Sequence, residues 1–216
     1  MEIVYSKEIP TNFSDKNIIG LYGDVLDLNT YDMDTFGIKY DDEWKVSKFL
    51  NGGHLRINKR IYDIFAFLDL DKSILNYKIK DISKVSFKYV LLTYILFNNI
   101  DIIIFDHIEV GMSYKEIRHI KQIIKELKKS NFKIIIVTKD ITFMDDLVEE
   151  LIVINNKKEV YRGDAKDVFN EPISIMEPNI VKFINMANRK GANLNMTLDN
   201  KELLKDIYRS VGKWNT

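Results

Sequence analysis

Cysteine is absent from the 216 residues, which excludes a disulfide scaffold, a thiolate zinc site and a cysteine nucleophile together. Proline occurs three times, at Pro10, Pro172 and Pro178. Histidine is limited to His54, His107 and His119, too few and too scattered for a metal set. Net charge is also missing, because 32 lysines and arginines balance 32 aspartates and glutamates. That balance gives neither the basic footprint of a nucleic-acid-binding protein nor a polybasic membrane stripe, so no nucleic-acid partner is expected. No apolar run approaches the ~18–20 residues of a membrane span; Asn98, Asn99 and Asp101 interrupt the most hydrophobic region. The opening Met1-Glu2-Ile3-Val4 lacks the basic-then-apolar pattern of a secretion signal. The expectation is a cytoplasmic globular protein.

What is there reads as alternating strands and helices. The dense apolar run over residues 87–98 is too long for one strand and suits a buried helix. Ile102-Ile103-Ile104-Phe105 and Lys133-Ile134-Ile135-Ile136-Val137 do not alternate, which predicts strands buried on both faces, as in a parallel sheet. Between them, Ile117, Ile120, Ile123, Ile124 and Leu127 recur three and four apart behind Ser113, a good helix cap. Strand, helix and strand of this length form a right-handed crossover. Asn17 to Gly23 is a further short buried strand. Phe143 to Glu150 reads as a short helix, Leu151 to Ile154 as a strand, Asn155-Asn156 as a turn and Glu159 to Tyr161 as a returning strand. Trp44–Leu50 and Ile61–Leu68 read as helices around a Gly52-Gly53 break, and helices near 180–187 and 202–211 form a tail. The class is α/β, with an internal boundary near the prolines at 172 and 178.

The order of these pieces, with the motifs on them, resembles the ATPase subunits of ATP-binding-cassette (ABC) transporters, closest to the energy-coupling-factor type. The residues that carry the resemblance are Ile82-Ser83-Lys84-Val85-Ser86, Ile102 to Asp106-His107, Val137-Thr138-Lys139-Asp140, and Tyr161-Arg162-Gly163-Asp164 through Val168-Phe169. Met196-Thr197-Leu198-Asp199 before Glu202-Leu203-Leu204 is similar to that type's C-terminal helical extension. The resemblance covers roughly residues 76–210 plus the strand at 17–23. It implies a P-loop NTPase-like, mostly parallel sheet flanked by helices over 1–170, a reduced helical subdomain near 40–100, and a helical extension over 171–216. It also implies work in a dimer with an ABC-type ATPase subunit, contact with a transmembrane coupling protein, and a place at the inner face of the membrane.

The resemblance implies site residues too, and there the sequence departs from it. A phosphate-binding loop reads G-x-x-x-x-G-K-[ST], its glycines letting backbone amides face the phosphates and its lysine reaching their oxygens. Here the run is Gly23-Asp24-Val25-Leu26-Asp27-Leu28-Asn29-Thr30: Gly23 and Thr30 survive, while Leu28 and Asn29 replace the glycine-lysine pair. A non-glycine residue forced left-handed costs about 1–2 kcal/mol. Losing the lysine removes an attraction of about 4 kcal/mol at ~4 Å and an effective dielectric of ~20. Asp24 and Asp27 add negative charge where a triphosphate would sit. An ordinary turn between strand and helix is therefore the expectation.

Asp106 matches the aspartate that holds magnesium through water, while His107 stands at the glutamate position and Lys139 at the switch-histidine position. Ser83 survives from the signature, with Lys84 and Val85 in place of its two glycines, and Ser113 takes the place of the dimer-loop aspartate. Together these substitutions point to a non-hydrolysing relative that takes no cofactor and acts as a structural or regulatory partner. One alternative is an active ATPase using Mg-ATP through Asp106 and His107; the other is an unrelated α/β binding domain. The acidic run Asp24 to Asp34 is not a calcium loop, since the sixth residue from Asp27 is Asp32 and the twelfth is Ile38. The lysines of 121–129 read as a solvated helix face and His119 as a surface residue.

Overall fold

The computed structural model describes residues 2–10, 12–31, 33–54, 56–173 and 175–212. Among them seven strands form one sheet, β1 (Glu2–Ser6), β2 (Ile18–Tyr22), β3 (Phe36–Gly37), β4 (Ile102–Asp106), β5 (Lys133–Val137), β6 (Glu150–Asn155) and β7 (Lys158–Gly163), in the order β3-β1-β4-β5-β2-β6-β7. The central quartet β4-β5-β2-β6 is parallel, as the uninterrupted isoleucine runs require. Antiparallel strands close both sides: β1 and β3 flank β4, and β7 flanks β6. The registers Leu21 with Val137 and Asp106 with Val137 bring the carboxyl ends of β2, β5 and β4 level.

Two layers cover the sheet. On one face Ile18, Ile103, Phe105, Ile134 and Ile136 pack with the helices. On the other, Ile19, Leu21, Ile104, Ile135 and Val137 meet Phe13, Leu28, Tyr31 and Met33. Alternate residues of each strand thus enter different cores, which is why no polar alternation is visible in the sequence. The helical face is built by α1 (Val46–Leu50), α2 (Lys59–Phe67), α3 (Lys84–Phe97) and α4 (Tyr114–Lys129). Gly52 and Gly53, at φ +59° and +83°, make the break between α1 and α2 that their sequence suggests. Ser113 caps α4 through a reciprocal capping box with Glu116, and Ile120, Ile123, Ile124 and Leu127 are its buried stripe.

Several boundaries differ from expectation. The helix after β5, α5, spans Ile141–Met144 rather than Phe143–Glu150. Asp140 caps it by accepting from the amides of Thr142 and Phe143, Asp146 turns left-handed at φ +63°, and Glu150 already belongs to β6. The β6–β7 turn is centred one residue later than the asparagine pair suggests, since Asn156 and Lys157 are the two residues with positive φ. The lysines of α4 are not merely solvated: Lys121 and Lys125 pair with Asp146, and Lys128 with Glu149, tying α4 to the loop before β6. His119 lies half-buried, edge-on to the Tyr89 ring at 5.7 Å.

The tail consists of α6 (Asn179–Arg189) and α7 (Asn200–Gly212), with Ile184, Leu194 and Leu203 in a small core of their own. Val181 and Leu198 join the main core instead. Among the described residues no helix is long and apolar enough to cross a membrane.

Candidate functional site

In an open α/β sheet the ligand crevice lies at the carboxyl ends of the parallel strands. Here that edge carries Gly23 after β2, Asp106 and His107 at the end of β4, and Lys139 after β5, so four residues singled out in the sequence lie on one edge. The chain does not enter a long α-helix after Gly23. It forms a turn and a 3-10 helix, Val25–Tyr31, where a turn into a helix was expected.

That turn is closed by its own side chain. The Asp27 carboxylate accepts the Asp24 amide at 2.9 Å, and the Asp27 amide donates to the Asp24 carbonyl at 2.9 Å. Gly23 leaves room for the same contact, because a Cβ there would stand 2.4 Å from Asp27 Oδ2 and push that carboxylate aside. Leu28, at the position of the second motif glycine, is fully buried in the core beneath the sheet, while Asn29 is exposed. Thr30 contributes its backbone to the 3-10 turn; its side chain lies outside the described structure. Leu26 is 73% exposed.

Lys139 turns toward this loop, its ammonium 3.1 Å from Asp24 Oδ2, with both side chains about half exposed. An ion pair so solvated contributes at most about 1 kcal/mol, so it fixes orientation rather than stability. Across the strand ends His107 Nδ1 lies 2.7 Å from Asp106 Oδ1. A carboxylate can only accept, so Nδ1 carries the proton of this contact. His107 is held at φ +49°, and its amide donates to the Val137 carbonyl at 2.8 Å. That bond ties the backbone after β4 to the end of β5.

Ser83 stands apart from this edge. It caps α3, accepting from the Ser86 amide at 3.0 Å and donating to Ser86 Oγ at 2.9 Å.

Sequence reasoning missed two groups here. Glu109, three residues beyond Asp106, accepts from the buried Thr138 hydroxyl, and its other oxygen is buried without a hydrogen-bond partner among the described residues. No motif marks it; only its acidity beside an apolar Ile108 hints at it. The second group anchors the 3-10 turn at its far end. The Tyr31 hydroxyl donates to Glu159, whose carboxylate also receives the Arg162 guanidinium at 2.7 and 2.9 Å. Burial first, and the Glu159 carboxylate second, push the Tyr31 hydroxyl above its usual range. Arg162 also reaches Glu150 at 2.9 Å and the Phe13 carbonyl, so the segment after β2 is fastened to the β6–β7 hairpin.

The edge therefore carries the carboxylates of Asp24, Asp27, Asp106 and Glu109, with the Lys139 ammonium beside Asp24 and the Lys88 ammonium on the carbonyls that flank Glu109. Among the described residues no group of three or more acidic or histidine side chains is placed to hold a metal ion.

No protein-family model and no curated protein matches the chain. Solved structures do. One is cbiO1 from Clostridium perfringens, part of the ABC transporter complex cbiONQ, at TM-score 0.56 and 13% identity, covering 87% of this chain and 96% of that one. Another is the ADP conformation of an ATP-binding cassette of an ABC transporter, at TM-score 0.51 and 16% identity, covering 76% of this chain and 69% of that one. The fold is that of an ATP-binding cassette, and it is what the order of motifs implied.

Proposed function

We propose that this chain, with its cassette fold, has lost ATP hydrolysis and serves as a structural or regulatory partner of an active ABC transporter ATPase. The observation that carries the reading is the Asp27 carboxylate. It already takes the Asp24 amide and packs against Gly23, so an internal anion stands in the loop where a phosphate would need those groups. Two further features support it. Leu28 is committed to the core, and Lys139 is engaged by Asp24. Without the motif lysine, and with further carboxylates on the same edge, a triphosphate meets repulsion where a cassette needs attraction. The residues present do not fit Mg-ATP.

The partner follows from the fold relatives. The Clostridium cassette is part of a transporter complex, and a chain of the same shape would join an ABC-type ATPase subunit, and a transmembrane coupling protein, at the cytoplasmic side of the membrane. The signature gives little support for donating to a partner's nucleotide, since Ser83 spends its hydroxyl on its own helix cap.

Active hydrolysis is the competing reading, and the Asp106–His107 contact is the observation on which it would rest. There Nδ1 donates to Asp106, which orients the ring and leaves its other nitrogen unused by that contact, but the loop after β2 carries no motif lysine to hold a phosphate beside it.

Titration with Mg-ATP decides between the two. A ligand at 100 times its dissociation constant adds about 2.7 kcal/mol, a rise in Tm of about 5–11 °C for a chain of this size. The expected result is no rise at millimolar Mg-ATP, together with co-purification of the chain with a cassette ATPase of its native host. A saturable rise in Tm, with phosphate release abolished by Asp106→Asn, would overturn the proposal.

A further inference from the structure

Beyond the end of β4, a pocket of about 260 Å³ opens between α3 and the β1–β3 side of the sheet. Lys84, Phe87, Lys88 and Leu91 line it from α3, with Ile38 and Ile108 opposite. The α3 residues follow one another at helical spacing, so a single face of the helix supplies both the apolar wall and the two cations. A pocket of this volume suits a small, fragment-sized ligand.

Lys88 is the unusual member. It is 6% exposed, yet among the described residues its ammonium has no carboxylate partner. Its hydrogen bonds go to the carbonyls of Ile108 and Val110, both at 2.6 Å. An ammonium donates three protons, so one remains. Burial pushes its pKa down, and the carboxylates of Glu109 and Glu116 oppose this only through space. A buried charge is normally paired, and one left without a contact counter-ion is a ready partner for an anion.

We propose that this pocket binds a small amphiphilic carboxylate, its chain against Phe87, Leu91, Ile38 and Ile108 and its head group between Lys84 and Lys88. The two carbonyl contacts orient the Lys88 ammonium beside an apolar wall, and Lys84 at the more exposed end supplies a second cation. The site shares no residue with the loop after β2 and stands whether or not ATP binds. Neutral molecules of the same shape gain the apolar contact alone.

Calorimetric titration of the full chain with octanoate, against octan-1-ol as the uncharged control, tests it. Octanoate is expected to bind saturably at one site, and octan-1-ol about tenfold more weakly, the value of a charge-assisted hydrogen bond. Lys88→Met should weaken octanoate by about tenfold and the exposed Lys84→Gln by about threefold. Ile38→Trp, which fills the half-buried rim, should abolish binding. If Lys88→Met does not fold, the other two variants, checked by circular dichroism, carry the test. Equal affinity for the alcohol, no saturable heat, or octanoate binding unchanged in Lys84→Gln and Ile38→Trp would overturn the proposal.

Discussion

Leu28 offers the sharpest test of how the loop has been rebuilt. At the position where a phosphate-binding loop needs glycine, this chain places a fully buried side chain among Ile19, Leu21, Ile104, Ile135 and Val137. Leu28→Ala should therefore behave as a core truncation, costing about 3 kcal/mol within the ~2–5 kcal/mol range for buried leucine. For a chain of this length that is a fall in Tm of about 6–12 °C. Leu26→Ala, two residues away but 73% exposed, should change stability by less than about 0.5 kcal/mol. Thermal and urea unfolding followed by circular dichroism measure both. The same reasoning extends to the double change Leu28→Gly with Asn29→Lys, which writes the motif pair back into the chain. It should lower stability at least as much as Leu28→Ala and yield no Mg-ATP response, because Asp27 still fills the turn. A neutral Leu28→Ala, or a Leu26→Ala equally damaging, would refute the assignment of Leu28 to the core and with it the account of the loop.

Two smaller perturbations probe neighbouring features. Gly23→Ala pushes a methyl into Asp27 Oδ2, so the carboxylate must give up the Asp24 amide, at about 1 kcal/mol. In an Asp27→Ala background the same substitution should cost almost nothing, and a double-mutant cycle by urea unfolding checks this; additive effects would contradict the fold-back. On the helical side, hydrogen bonds from Lys78 and then Lys80 lower the Glu43 carboxyl from its usual 4.5 to about 2. Its folded pKa lies below the unfolded one, so its contribution is present above about pH 4.5 and lost as pH falls toward 2. The urea midpoint of Glu43→Gln should converge on that of the unmodified chain across this window, and added salt should shrink the difference. A constant gap from pH 7 to 2 would show that the pair does not act through charge.

The elements that were legible in the sequence are those whose signal is local. The runs at 102–105 and 133–137 and the capped stripe from Ser113 to Leu127 each carry their own period, and each lies within a residue or two of its place. β1 was not legible. Glu2-Ile3-Val4-Tyr5-Ser6 has no turn signal before it, and its strand character comes from pairing with β4, about a hundred residues away in sequence. α5 was over-extended because Phe143 and Leu147 match a helical period, but Asp146 adopts a left-handed conformation and Lys121 fastens it to α4. At the site, residue identity could show where the loop departs from the phosphate-binding motif. It could not show that Asp27 turns back onto Gly23, or that Lys88 is buried with its ammonium on the Ile108 and Val110 carbonyls.

The loop and the sheet explain one another. A parallel strand such as β2 needs cover on both faces, and the segment that follows it must supply cover for one of them. In this chain that segment is short and 3-10, so it cannot bury a long helical stripe. Leu28 and Tyr31 do the work instead, with Met33 just beyond, and the Tyr31 hydroxyl is tied to Glu159 of the far hairpin, which Arg162 holds in place. Once those side chains hold the cover in place, a glycine at 28 is no longer permitted on grounds of stability, whatever the loop might bind. The Asp27 fold-back satisfies the turn's own amide, so no external anion is needed to order it. The cover over this face of the sheet is therefore held by side chains of the chain itself, Leu28, Tyr31 and Met33.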